Sequence, residues 1–326
     1  MQSTELSHTR IKPMYHLTDP FPVGRYRFVF NVYKQIILPG YAGSAIRGVF
    51  GHALRKASCI TGLKQCNDCG LKKTCPYTGL FEIGVRQQYH SGMTTTATNP
   101  YIIEAPWDSK REYKPGERYE FSIVLVGPAL KQLALCIHAM RQAFGRGIGP
   151  ASGKASLVEV IDHNSDSIIW SAEEPELVKH NAHIDPGENC AAPGKHCLIK
   201  IETPLRIASK GKLLDKSDLG ATEFLTATVR RVAALVEGNM DMVLSTDYSG
   251  LRQQSLQLSC KTDLRWREWE RFSGRQKQSM SAGGVIGHIE LSGELESFLP
   301  FLQIASYVHI GKMTSFGNGK IQLTVD

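Results

Sequence analysis

His52 stands in "YAGSAIRGVFGHALRKA", residues 41–57, with Arg55 and Lys56 three and four positions further on. An imidazole of ordinary pKa, about 6.5, moves protons at neutral pH, and cations beside it stabilise a pentavalent phosphorane. Tyr41, just ahead of the helical pattern, would assist as a hydrogen-bond donor. His309, in "VHIGK", and His288 are rivals for the proton transfer, and a solvated helix face also accounts for His52. A second group follows at once. Cys59, Cys66, Cys69 and Cys75 form a CxxC hook flanked by cysteines at six and five intervening residues. Four thiolates complete a tetrahedral zinc site with no open position, so the metal they would hold is structural and not catalytic. Reduced, unligated thiols are the alternative. Cys136, Cys190, Cys197 and Cys260 are scattered and read as structural.

Two glycine-rich basic loops match each other. "GRGIGPASGK", residues 145–154, offers Arg146, Gly147, Gly149 and Lys154, and runs into strand-like "ASLVEVI". "GKMTSFGNGK", residues 311–320, offers Gly311, Lys312, Gly317, Gly319 and Lys320, and runs into "IQLTV". Glycines let a backbone approach a phosphate, and the cations add fixed charge along that path. A flexible helix-to-strand connection is the plainer account of either loop alone. Neither has the order of a nucleotide-binding glycine motif. "LRWREWERFSGRQK", residues 264–277, interleaves Trp266, Trp269 and Phe272 with Arg265, Arg267, Arg271, Arg275 and Lys277. Such a stretch stacks bases and holds phosphates, or forms a half-buried strand with arginines facing water. No GxSxG, no HExxH and no carboxylate cluster for two-metal chemistry is present.

The elements that must position these groups repeat in order. In the first half, strand patterns fall at 26–38, 101–105, 118–126 and 155–161. Helices are expected at 44–57, with Ser44 as N-cap, and from Pro128 onward. The second half shows strands around 197–207, 256–266 and 284–293, a long helix ended by Gly238, and a helix near Pro300 before the last loop and strand. Both halves read β-α-β-β-α-β. The fold class is α+β, with two tandem ferredoxin-like domains at 1–162 and 197–326, a cysteine-rich insertion at 58–77, and a polar linker at 163–196.

The chain has 326 residues, 42% hydrophobic and 21% charged, enough for two cores and too apolar for disorder. A net charge of +7 permits a polyanionic partner without requiring one. No apolar run long enough for a signal peptide or a membrane span occurs, so a cytoplasmic protein without a membrane partner is expected.

"LPGYAGSAIRGVFGHALRK", the cysteine cluster closing on "CPYTGLFE", and then "WREWERFSGRQKQSMSAGGVIGHIELSG" with "VHIGKMTSFGNGK" resemble the CRISPR-associated repeat-processing endoribonucleases of the RAMP superfamily. The resemblance implies binding of CRISPR repeat RNA and crRNA, and metal-independent cleavage. A ribose 2′-hydroxyl attacks the adjacent phosphate, leaving a 2′,3′-cyclic phosphate and a 5′-hydroxyl. It places a histidine on or near the first helix, with tyrosine or lysine, where His52, Tyr41 and Lys56 stand. Arg55 would stabilise the phosphorane beside Lys56, and the glycine loops would lie along RNA. Two other functions fit the same residues. One is a RAMP protein that holds guide RNA among other CRISPR-associated effector subunits without cutting it. The other is a zinc-stabilised interaction module with incidental basic charge.

Overall fold

The computed structural model describes residues 12–82, 86–88, 94–96, 98–107, 110–187, 195–273 and 278–325. Its first antiparallel sheet uses β1 (Val23–Lys34), β2 (Tyr101–Glu104), β3 (Arg118–Val126), β4 (Lys154–Asp162) and β5 (Ser167–Ser171). They lie in the order β5-β4-β1-β3-β2. Helix α1 (Ala42–Ser58) connects β1 to β2, and α2 (Leu133–Arg146) connects β3 to β4. The second antiparallel sheet is β7-β8-β6-β9, built from β6 (His196–Leu205), β7 (Ser259–Arg267), β8 (Gly284–Ser292) and β9 (Ile321–Val325). Its crossover helices are α3 (Ala221–Asn239) and α4 (Leu299–Val308). Mixed α/β layers on antiparallel sheets with these crossovers are consistent with ferredoxin-like folds.

Several local expectations shift. Helix α1 begins at Ala42, with Tyr41 and not Ser44 at its N-cap and no side-chain cap. Tyr41 is anchored from outside the helix, so no serine is needed to start it. Pro128 opens a 3-10 turn, Gly127–Gln132, before α2 begins at Leu133. Helix α3 passes through Gly238 to Asn239. The 163–196 stretch contributes β5, an edge strand on β4, and Ile184 bridges back to Phe21. A helix at Tyr248–Ser255, capped by the Asp247 carboxylate on the Ser249 and Gly250 amides, was not expected.

The run "RYEFSIVLV" explains how the halves join. On β3, Phe121, Ile123 and Leu125 enter the core beneath α1 and α2. The alternate residues Val124 and Val126 enter a core otherwise built mostly from the second half. A strand buried on both faces reads as continuous apolar sequence, since its two-residue period serves two cores. Residues 14–15 also pair in parallel with 243–244, so the chain start is woven into the second half.

At the seam sits Glu104, at the end of β2 and almost fully buried. Its carboxylate meets Arg25 Nη2 at 3.2 Å, His309 Nε2 at 2.8 Å and Lys320 Nζ at 3.8 Å. Burial would raise its pKa, but Arg25, His309 and Lys320 outweigh that and hold it at about 2. Burial likewise lowers the pKa of the His309 ring, against the pull of Glu104. His309 Nδ1 faces the Asn318 carbonyl at 3.1 Å. With acceptors at both ring nitrogens, one proton must lie between Nε2 and Oε1.

The terminal glycine loop closes the same seam. The Tyr41 hydroxyl donates to the Phe316 carbonyl, and Thr203 Oγ1 donates to the Gly317 carbonyl at 2.7 Å. Gly43 in α1 lies so close to the Phe316 carbonyl that a Cβ would overlap it. Gly317 has φ +95°, and a Cβ there would run into the Tyr41 hydroxyl and the Ile103 carbonyl.

Two outcomes follow. Gly317→Ala combines a left-handed backbone with two collisions, so denaturant unfolding should show a loss of at least about 2 kcal/mol. Glu104 is depressed in the fold, so its contribution is complete above the ordinary 4.5 and is lost as pH falls through about 2. Glu104→Gln should lower stability at neutral pH and flatten the acid limb of a stability–pH curve across that window. An unchanged limb would remove Glu104 as its source.

Candidate nucleic-acid interface

Helix α1 turns Ile46, Phe50, Ala53 and Leu54 into the core and leaves His52 and Lys56 exposed. Four residues apart, these two share one solvent-facing arc. Arg55 departs from it. Its Nη2 donates to the carbonyls of Leu63 at 2.6 Å and Lys64 at 2.8 Å, so it braces the cysteine-bearing segment after α1. Tyr41 departs further. Eleven residues of helix separate it from His52, about 16 Å of rise. It is buried, and burial first, then the Glu104 charge, push its pKa upward. The structure therefore joins His52 to Lys56 and leaves Tyr41 holding α1 to the terminal loop.

The glycine loops are more buried than a phosphate path requires. In the second, Gly317, Asn318 and Gly319 are buried, Gly311 is half-buried, Lys320 is half-buried on Glu104 and Glu202, and Lys312 alone among its cations is exposed. Asn318 Nδ2 donates to the carbonyls of Pro204 at 3.1 Å and Ala282 at 3.3 Å, which fixes the loop to the second sheet. In the first loop, Gly149 (φ +72°) rides against the Ile37 carbonyl, and Ile148 is buried and bridged to Gly153. Gly147, with φ +129°, ends α2. Arg146 is exposed at the helix end, and Lys154 is half-buried at the start of β4. Positive φ and close approach are present as the sequence requires, but toward protein backbone.

The aromatic-basic stretch is split. Trp266 and Arg267 end β7, with Arg267 exposed and Trp266 half-buried, its Nε1 donating to Glu268 Oε1 at 2.5 Å. Trp269 packs on Tyr41 at 4.4 Å between ring centroids and on Trp107 at 6.1 Å. Arg275, Lys277 and the side chains of Arg271 and Phe272 lie outside the described residues, as does Cys190.

Cys59, Cys66, Cys69 and Cys75 line one cavity of about 200 Å³ beside α1. The Cys59 thiol is pulled down by hydrogen bonds from the Gly62 backbone and the Thr61 hydroxyl, whereas burial pushes Cys66 up. The donor set suits zinc in its chemistry, four thiols lining one cavity. As placed, however, no three His, Cys, Asp or Glu side chains among the described residues gather as metal ligands.

Sequence reasoning missed a larger feature. The two sheets border a cleft of about 750 Å³ whose cations include Arg27, Lys200, Arg265 and Lys320, with His288 exposed in its wall and Trp107 at its edge. Lys200 and His288 are cross-strand partners on β6 and β8. Polar residues alternating along β6 and β7 were the available signal. Only tertiary structure shows that these strands face β3 across an opening. His309, by contrast, is fully buried and locked between Glu104 and Asn318. No helix among the described residues is long and apolar enough to cross a membrane.

Comparison with known proteins finds two domain matches and a set of similar folds. Residues 199–321 match the family model of the CRISPR-associated endoribonuclease Cas6, and residues 21–182 match the AF_1859_N N-terminal domain. No curated protein matches by sequence. Among solved structures, a Cas6 product complex superposes with TM-score 0.56 at 13% identity, covering 93% of this chain and 99% of that one. Thermus thermophilus Cas6 gives TM-score 0.54 at 13% identity, covering 94% and 99%. A partial Cas6-RT-Cas1–Cas2 complex gives TM-score 0.56 at 13% identity. There the match covers 95% of this chain, which spans only 47% of the larger one. At these identities the superpositions speak for a shared Cas6-like fold, and the domain matches speak for kinship. The chain thus resembles CRISPR repeat-processing endoribonucleases, with a match to the Cas6 domain over residues 199–321 and a Cas6-like fold.

Proposed function

We propose that the chain binds the repeat of CRISPR precursor RNA and cuts it without a catalytic metal. The observation that carries this reading is the Cas6 endoribonuclease domain match over residues 199–321. The two β-α-β-β-α-β halves act as tandem ferredoxin-like RNA-binding units, joined through the terminal loop. In the reaction, the 2′-oxygen loses its proton and bonds to the adjacent phosphorus, the P–O5′ bond breaks, and the 5′-oxygen is protonated. His52 moves a proton in this sequence, and Lys56, four residues on, stabilises the charge on the phosphorane. Both are exposed on α1. Tyr41 is a positioning residue that docks α1 on the terminal loop. This replaces the catalytic role its sequence position suggested.

A cyclic-phosphate product formed by wild type in excess EDTA is the expected result. His52→Ala should lower the cleavage rate by about 100-fold or more with RNA affinity unchanged. Full cleavage by the variant would assign the proton transfer elsewhere, with exposed His288 the first candidate. Binding without cleavage by wild type would replace the enzyme with a subunit that holds guide RNA, a role the separation of Tyr41 from His52 favours.

The four cysteines act as a structural zinc staple for the 58–77 insertion. The CxxC spacing and the shared cavity support this. Zinc-supplemented protein should contain one equivalent of zinc, and Cys66→Ser/Cys69→Ser should lose it together with several degrees of thermal stability. Metal-free wild type of equal stability would leave the thiols unligated.

A further inference from the structure

A second cavity, basic in its lining, lies away from His52. Helix α3, the short pairing of Ala208–Ser209 with Lys212–Leu213, the helix Tyr248–Ser255 and the Gly311–Lys312 turn enclose about 260 Å³. Arg206, Arg230, Arg252 and Lys312 line it, with Arg231 and the single carboxylate Glu223. Arg231 is engaged, donating from Nε at 3.0 Å and Nη2 at 2.9 Å to the Val308 carbonyl. None of the other four cations has a carboxylate within ion-pair distance among the described residues. Glu223 sits in the first turn of α3, near Gly220, where the helix N-terminus already attracts its charge. Arg206 donates to the Gly283 carbonyl, but its Nε is buried without a partner, and burial lowers its pKa. Like charges around one cavity repel, and their field concentrates anions there.

The lining also says which anion. It contains no aromatic ring, histidine, asparagine or glutamine. A sequence-reading base pocket usually adds an aromatic stacking face or side-chain amides to its arginines, and this cavity has only the arginines. Guanidinium groups and the Thr226 and Ser209 hydroxyls suit phosphate and ribose. The volume suits a phosphate with its sugar and is narrow for a duplex. The cavity is tied to the terminal loop, because the Lys312 amide donates to the Arg206 carbonyl at 2.8 Å.

We propose that this cavity grips the phosphodiester backbone of a single RNA strand outside the segment processed at α1, without reading its sequence. The proposal rests on the RNA-binding reading above and adds Arg206, Arg230 and Arg252 to the RNA path.

The test uses the intact chain carrying Arg230→Ala and Arg252→Ala, two exposed side chains. Circular dichroism checks the fold. Anisotropy of labelled polyuridylate and of the repeat RNA is followed over a salt series. Both affinities should fall about tenfold, and the slope of log K against log salt should shrink by about 1.4, two contacts at about 0.7 each. Unchanged affinity and slope would overturn the proposal, as would a loss confined to the repeat RNA, which would mean that the cavity reads sequence or structure. Calorimetric binding of adenosine monophosphate, abolished in the variant while RNA binding persists, would overturn it in favour of a nucleotide site. Wild type that binds neither RNA in a salt-dependent way would instead remove the underlying RNA-binding reading.

Discussion

A carboxylate buried where two halves of a chain meet has to be neutralised by both, and Glu104 is that group. Arg25 comes from β1, while His309 and Lys320 come from the end of α4 and from the terminal loop. Removing one of these partners would leave the carboxylate under-compensated in a low-dielectric seam, which costs more than the loss of a surface pair. The relative placement of the two sheets, and so of the cleft they border, is therefore set by a proton-bound contact and not by apolar packing alone. Arg25 reinforces it by donating to the Ser306 carbonyl at 2.7 Å and lying over the Tyr307 ring at 4.6 Å.

The terminal loop follows from the same constraint. His309 must leave α4 with its ring turned toward Glu104, and it does so with φ +58°, a conformation uncommon outside glycine and asparagine. The chain must then return to start β9 as the partner of β6. Gly311, Gly317 and Gly319, all at positive φ, make that return within ten residues. Asn318 is spent on the second sheet, and Phe316 receives Tyr41 and Arg47 from α1, the latter with its guanidinium 4.7 Å from the ring centroid. The loop thus couples α1, which carries His52, to the sheet that carries His288.

Element order and strand patterning were legible in sequence because they depend on local periodicity. The β3 run and both crossover helices are examples. The roles of the glycines were not, because positive φ and the lack of a Cβ serve protein backbone and phosphate equally well. "GKMTSFGNGK" looks the same in either use. Tyr41 and His52 seemed to belong together because they share one helix segment. Whether Tyr41 faces solvent depends on residue 316, which no local pattern reveals. The Tyr248–Ser255 helix has few apolar residues to mark a face, though Asp247 followed by Ser249 and Gly250 was a usable N-terminal signal.

Basic residues in this chain divide by what they already hold. Arg25, Arg55 and Arg231 each donate to backbone carbonyls, where they act as struts, and replacing them would test folding more than binding. His52, Lys56, Arg146, Arg230, Arg252 and Lys312 have no such commitments among the described residues, and all are exposed. A net charge of +7 could not separate these two groups, since a strut and a phosphate ligand count alike in it. The five lysines and arginines of this set are charge available to a polyanion. They span α1, the end of α2 and the α3 cavity, more surface than a single phosphate needs and the kind of distribution that an extended strand would use.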